Sequence, residues 1–298
     1  MDSEATQLMN ALQSVAILLM GVGCADTRKE AVVLVHYPDE VQGSLRDRYE
    51  VDRVEAVFHA LEKATDMRIR EEQARTYDEI MERLQGPDRP EFAVIASPNL
   101  AIMGEDQGYI SVMPVLPPYR AYVVTRADSP AKHLADLASQ PQRLTVAVKE
   151  PGSTSGFLSM FFALHEHEVP PESVDVTATG TYGGVLEAIR ANAANVGSVA
   201  HTQLNSYQHQ ADFRIVWASP LLPSGALLIT PEALNATAIS IEQLQSRLRE
   251  YRRRDGSLGP LDFEHPPVGR AVVDQLRTGA DAWIDAWKTS GAASESIP

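Results

Sequence analysis

The stretch Lys149-Glu-Pro-Gly-Ser-Thr-Ser-Gly156 decides the reading of this chain. Before it stands Leu144-Thr-Val-Ala-Val148, a short β-branched run, and after it Phe157-Leu-Ser-Met-Phe-Phe-Ala-Leu164, an apolar run of helical character. A strand that stops at a Pro-Gly turn and resumes as an apolar run predicts a helix over 155–166. Ser153, Thr154, Ser155 and Gly156 then fall where a helix leaves its first N–H groups without intrahelical acceptors. Three hydroxyls, open amides and the positive end of a helix dipole make a receptor for an anion. The same residues also read as a helix cap and nothing more.

On both sides of this turn, strands alternate with helices. Upstream, Ala31–His36 reads as a buried strand, 51–65 as a helix, Met67–Glu71 as a second strand, Tyr77–Leu84 as a helix and Phe92–Ala96 as a third strand. Such alternation predicts a mostly parallel sheet whose ligands bind beyond the carboxyl ends of the strands. Tyr37, Ser97 and Asn99 are placed at such ends, although Tyr37 reads equally well as a packing residue. Tyr119–Thr125 is a further strand, and Ser129–Leu137 a short capped helix. A second series follows, with strands 144–148, 174–178 and 196–200 and helices 155–166 and 182–194. Strands 213–217 and 226–230 and helices 241–253 and 269–288 complete the chain.

This order reads as one lobe inserted into another. Residues 31–118 begin the first lobe, 119–205 form the second, and 206–290 complete the first with the C-terminal helices. Crossover strands are expected near 118–126 and 200–217, and 291–298 reads as a frayed tail. A chain of 298 residues suits two such units.

The net charge of −14 disfavours nucleic acid and anionic membrane as partners, because both need basic patches. It leaves a small anion open, since nearby N–H groups outweigh distant, screened charge. Cys24 is the only cysteine, so no intrachain disulfide forms. The run Ala16-Ile-Leu-Leu-Met-Gly-Val-Gly-Cys24 resembles a bacterial lipoprotein signal. On that reading residues 1–24 are a leader, Cys24 is lipidated and the protein lies in the periplasm. Asp2 and Glu4 put acid where such a leader is basic, and an amphipathic first helix in a cytoplasmic protein is the other reading.

Catalytic patterns fit poorly. A nucleophile elbow would need serine where Gly152-Ser-Thr-Ser-Gly156 has Thr154. His165 and His167 are two residues apart, which does not place them on one helical face as metal ligands. The expectation is binding without catalysis, and without a cofactor or metal.

Tyr119, Arg126-Ala-Asp-Ser129, Leu134-Ala-Asp-Leu137 and Pro151–Gly156 occur in an order and spacing that resembles a known family. Thr179-Gly-Thr-Tyr-Gly-Gly184 and Arg214-Ile-Val-Trp-Ala-Ser-Pro220 extend the likeness. The family is the periplasmic solute-binding proteins of ABC importers for phosphonate, phosphite and phosphate-type ligands. The resemblance implies an α/β, two-lobed flytrap of the type II periplasmic-binding-protein fold, with mixed sheets flanked by helices and a cleft between lobes. It implies delivery of the ligand to an inner-membrane permease. It also implies that Ser153, Thr154 and Ser155 hold a phosphorus oxyanion, with Tyr119 touching it from the hinge. The chain departs from the family at Gly180-Thr181-Tyr182, where a histidine is usual, and at Asn195, where a carboxylate is common. Thr181, Tyr182 and Asn195 are therefore candidate ligand contacts of a different kind. An alternative is the same fold carrying a lipid or sterol for another periplasmic transport system. Leu221, Leu222, Tyr182, Tyr37, Leu100 and Met103 would line that cleft, and each also reads as ordinary packing.

Overall fold

The structure, a computed structural model, describes residues 28–36, 56–139, 142–251 and 269–289. The first part of the chain runs β1 (Glu30–His36), α1 (56–65), β2 (Arg68–Ala74), α2 (Tyr77–Gln85), β3 (Phe92–Ile95), α3 (Pro98–Asp106) and β4 (Ile110–Pro114). There follow β5 (Ala121–Arg126), α4 (Leu134–Ala138), β6 (Leu144–Val148), a π-helical turn (Thr154–Leu158) and α5 (Ser159–Glu166). Next come β7 (Val174–Ala178), α6 (Tyr182–Arg190), β8 (Val196–Ala200), α7 (His201–Ser206) and β9 (Phe213–Ala218). The last part holds β10 (Ala226–Ile229), α8 (Pro231–Ala236), α9 (Ile241–Glu250) and α10 (Arg270–Thr289).

These strands form two five-stranded sheets, ordered β2-β1-β3-β10-β4 and β7-β6-β8-β5-β9. In the first, β1 runs parallel to β2 and β3, and β10 runs antiparallel to β3 and β4. The second repeats the plan: β6 is parallel to β7 and β8, and β5 is antiparallel to β8 and β9. The sheets are thus mixed rather than mostly parallel, for a geometric reason. The strands β5 and β10 each arrive from the other sheet at the edge where the parallel strands end, so they must run the opposite way.

Strand composition follows position. The inner strand β1 buries Ala31, Val33, Leu34 and Val35, the near-continuous apolar run of a strand covered on both faces. Its neighbour β2 is an edge strand and reads Arg-Ile-Arg-Glu-Glu-Gln-Ala, with charge where an open edge would otherwise invite pairing. That polarity hides its true length. Pairing continues to Ala74, opposite His36, three residues past the end expected from sequence.

The chain crosses between sheets at 115–120 and returns at 219–225. The two crossings pair at a single antiparallel bridge: Tyr119 N donates to Leu222 O at 3.1 Å, and Leu222 N donates to Tyr119 O at 2.7 Å. The second crossing therefore lies beyond the expected 200–217, because β9 pairs with β5 inside the second sheet. The assignment of 206–290 to the first lobe needs the same correction. Helix α10 lays Ala280, Trp283 and Trp287 into the core of the second lobe beside Phe161 and Leu164. Trp283 Nε1 donates to Val169 O at 2.9 Å, and its ring stacks on Trp287 with centroids 6.4 Å apart.

Candidate ligand-binding cleft

The carboxyl end of β6 opens directly into the turn. Lys149 N donates to Gly156 O at 3.0 Å, which folds the turn back on its own strand. Ser153 caps the helical start, its Oγ accepting from Gly156 N at 3.1 Å. Phe157 N and Leu158 N both donate to Ser153 O, so the first turn is π-helical, and Ser159 Oγ donates to Thr154 O at 2.8 Å. Gly152 has φ +84°, a left-handed conformation that a side chain would strain. Gly156 is required for space: a Cβ there would lie 2.6 Å from Lys149 Cβ and 2.9 Å from Tyr182 Cε1. The side chains of Ser153, Thr154 and Ser155 are buried.

Both lobes converge on this turn. From the second lobe, Tyr182 at the start of α6 places its hydroxyl 2.6 Å from Ser155 Oγ and 3.3 Å from Ser153 Oγ. From the first, Asn99 N donates to Thr154 Oγ1 at 3.0 Å, and Ser97 Oγ donates to Gly152 O at 3.0 Å. With the Ser97 proton so engaged, Thr154 donates in turn to Ser97 Oγ at 3.1 Å. Asn99 is held from behind by Arg277 of α10, whose guanidinium donates to its Oδ1 at 2.8 and 3.1 Å.

One charged pair joins these hydroxyls. Lys149 is 2 % exposed, with Nζ 3.4 Å from Glu150 Oε1 and 3.3 Å from the Tyr77 hydroxyl. It lies 4.5 Å from the Tyr77 ring centroid and 5.0 Å from that of Tyr182, a cation between two aromatic faces. Glu150 Oε2 accepts from Tyr77 N at 3.2 Å, so a second-lobe carboxylate caps the start of first-lobe α2. Burial pushes the Tyr77 phenol up to about 12, against the pull of Lys149. Burial also drives Tyr119 well above its ordinary value, and Tyr182 adds to this while the Ser155 hydroxyl works against it. Both phenols therefore remain hydrogen-bond donors at physiological pH. Phenols, serine and threonine hydroxyls and an ammonium gathered at a helix start form a donor-rich site suited to an oxyanion.

Residues 46–286 match the family model of the phosphonate ABC transporter periplasmic substrate-binding protein. The chain belongs to this family. Substrate-binding proteins of ABC importers take up a small ligand in the periplasm and present it to a membrane permease. Many solved structures share this binding protein's fold. XAC2383 from Xanthomonas citri bound to ATP has 14% identity and a TM-score of 0.62, covering 86% of this chain and 99% of that one. PhnD1 from Prochlorococcus marinus in complex with methylphosphonate has 10% identity and a TM-score of 0.60, covering 89% and 99%. A binding protein component of an ABC phosphonate transporter from Pseudomonas aeruginosa has 13% identity and a TM-score of 0.56, covering 88% and 97%. No curated protein sequence matches the chain.

In this binding protein the cleft lies between the carboxyl edges of both sheets. Ser97 and Asn99 follow β3, the hydroxyl turn follows β6, and Thr181 and Tyr182 follow β7. Tyr119 sits on the hinge crossing, its ring stacked against His201 at 6.5 Å. Thr181 is at the right edge, but its hydroxyl caps α6, accepting from Gly184 N at 2.9 Å. Asn195 is at the wrong edge. It precedes β8, and its Oδ1 accepts from Thr145 N at 2.8 Å near the start of β6, the end opposite the turn. Tyr37 and Cys24 lie outside the described residues.

The sequence reading missed Lys149, Glu150, Tyr77 and Arg277. A charged pair directly behind the apolar strand 144–148 was the available signal for the first two. Tyr77 was hidden because β2 was ended too early, which left its loop unrecognised as a strand end.

Proposed function

We propose that this periplasmic binding protein captures a tetrahedral phosphorus oxyanion, of the phosphonate, phosphite or phosphate type, on the turn Ser153–Gly156. The observation that carries this reading is the convergence of both lobes on buried Ser153, Thr154 and Ser155, with an ammonium and two phenol donors beside them. Hinge closure about the Tyr119–Leu222 bridge would enclose the ligand, with Ser97 and Asn99 arriving from the opposite lobe. The protein acts by capture and release rather than by chemistry. We also read Cys24 as the site of a lipid anchor, because it ends the apolar run 16–23. Loss of fatty-acid incorporation in Cys24→Ser would test that assignment.

An apolar ligand has less support: of the side chains that would line its cleft, Tyr182 turns a hydroxyl to Ser155 and most of the described others lie elsewhere. Leu222 is buried in the hinge with Ala121, Phe162 and Leu276. Leu100 and Met103 pack in the first-lobe core, while Leu221 is 46 % exposed. The test is calorimetry with methylphosphonate, phosphite and phosphate beside a sterol and a phospholipid. A phosphorus oxyanion that binds, and is lost in Ser155→Ala, supports the reading. Heat from the lipid or sterol alone would overturn it.

A further inference from the structure

The groups gathered at the turn are hydroxyls and one charged pair, and the pair is not symmetrical in its surroundings. Both Glu150 oxygens are engaged, Oε1 by the Lys149 ammonium and Oε2 by the Tyr77 N–H at the start of α2. Lys149 lies between the rings of Tyr77 and Tyr182, and the Tyr182 hydroxyl bonds directly to Ser155. The ammonium is therefore one ring away from the hydroxyl turn and nearly shut off from water. Charges in such surroundings act with little screening. Arg277, a further cation at the lobe interface, is engaged by Asn99 Oδ1.

We propose that Lys149 sets the charge preference of the cleft, so that it takes phosphonates with a neutral or anionic substituent and rejects those carrying an ammonium. This rests on the oxyanion reading above and narrows its substrate class. An ammonium substituent would sit near a like charge at low dielectric. It would also find Glu150 already committed to Lys149 and Tyr77. An alkyl substituent meets neither penalty, since it carries no charge to set against Lys149.

Ethylphosphonate and aminomethylphosphonate test this, because they share a shape and differ by a methyl in place of an ammonium. Calorimetry is run above the second ionisation of the phosphonate and below that of the amine, so the headgroups carry equal charge. The native protein should bind ethylphosphonate about tenfold or more tightly than aminomethylphosphonate. Lys149→Met should bring that ratio toward unity, and Lys149→Arg should keep it. A lysine that only supports the loop would weaken both ligands alike, and an unchanged ratio in Lys149→Met would overturn the proposal. Equal affinities in the native protein would overturn it even if the variant failed to fold. Binding of neither compound overturns the proposal, and calorimetry with methylphosphonate, phosphite and phosphate then separates that outcome from failure of the oxyanion reading itself.

Discussion

Thr154 carries more of the cleft than its size suggests. Its hydroxyl accepts the Asn99 N–H and donates to Ser97, so one side chain links the helix start of one lobe to the helix start of the other. Thr154→Val keeps the shape and removes both bonds, leaving a buried N–H without its acceptor. A loss of about 1–3 kcal/mol is expected for such a group. We expect Thr154→Val to bind methylphosphonate about tenfold more weakly by calorimetry, because closure contributes to affinity. Affinity equal to that of the native protein would show that this contact is absent from the ligand-bound form. Gly156→Ala tests packing instead of hydrogen bonding. Its new methyl must displace Lys149 Cβ or Tyr182, and overpacking costs about 1–3 kcal/mol, read as a lower urea midpoint. The hydroxyl triplet was legible in the sequence because strand, turn and cap are local. Lys149, Glu150 and Tyr77 were not, because their pairing joins residues more than seventy positions apart across the cleft.

At the level of elements, periodicity is legible and partnership is not. Helix α10 buries Val273, Leu276, Ala280, Trp283 and Trp287, spaced three or four apart, so an amphipathic helix was readable. Nothing in that spacing says which lobe its apolar stripe covers. The bulk of the two indoles decides it, since Trp283 and Trp287 fill a gap between Phe161, Val169 and Val174 in the second lobe. Gly279 lets the helix approach closely, because a Cβ there would lie 2.7 Å from Phe162 Cδ2. Polar contacts then reach back to the first lobe, where Arg277 holds Asn99 and Arg270 meets Asp106 at 2.5 Å. Trp283→Ala removes one of the largest buried side chains and should cost about 3–5 kcal/mol in chemical denaturation. A loss under about 1 kcal/mol would mean that α10 is not part of the cooperative core. Arg277→Ala should leave global stability nearly unchanged and weaken ligand binding, because it acts on Asn99 at the lobe interface.

Across the whole molecule, the cleft places phenols where ionisation opposes folding. Tyr77 and Tyr119 bridge the turn, the hinge and α2, and burial raises both above the ordinary tyrosine value near 10. A phenol raised in the folded state favours that state while it stays protonated. Its contribution is complete below about pH 10, where the unfolded phenol is also neutral, and it falls as pH rises toward the folded value. For Tyr77 that value is about 12, so the loss should run from about pH 10 to 12. The free energy of unfolding should therefore be flat in this respect up to pH 10 and decline steeply above it. Tyr77→Phe removes one titrating group from the interface and should reduce the decline by on the order of 2 kcal/mol, apart from any constant offset from the lost Lys149 contact. The slope, not the absolute stability, carries the information. Urea midpoints at pH 9, 10 and 11 for both proteins measure it. Parallel curves would mean that the Tyr77 phenol titrates like an exposed tyrosine in the folded chain, withdrawn from the first-lobe core that buries it here. A flatter curve for the variant would show that the phenol stays buried in the unliganded protein, packed in the first-lobe core and bonded to Lys149 of the second lobe.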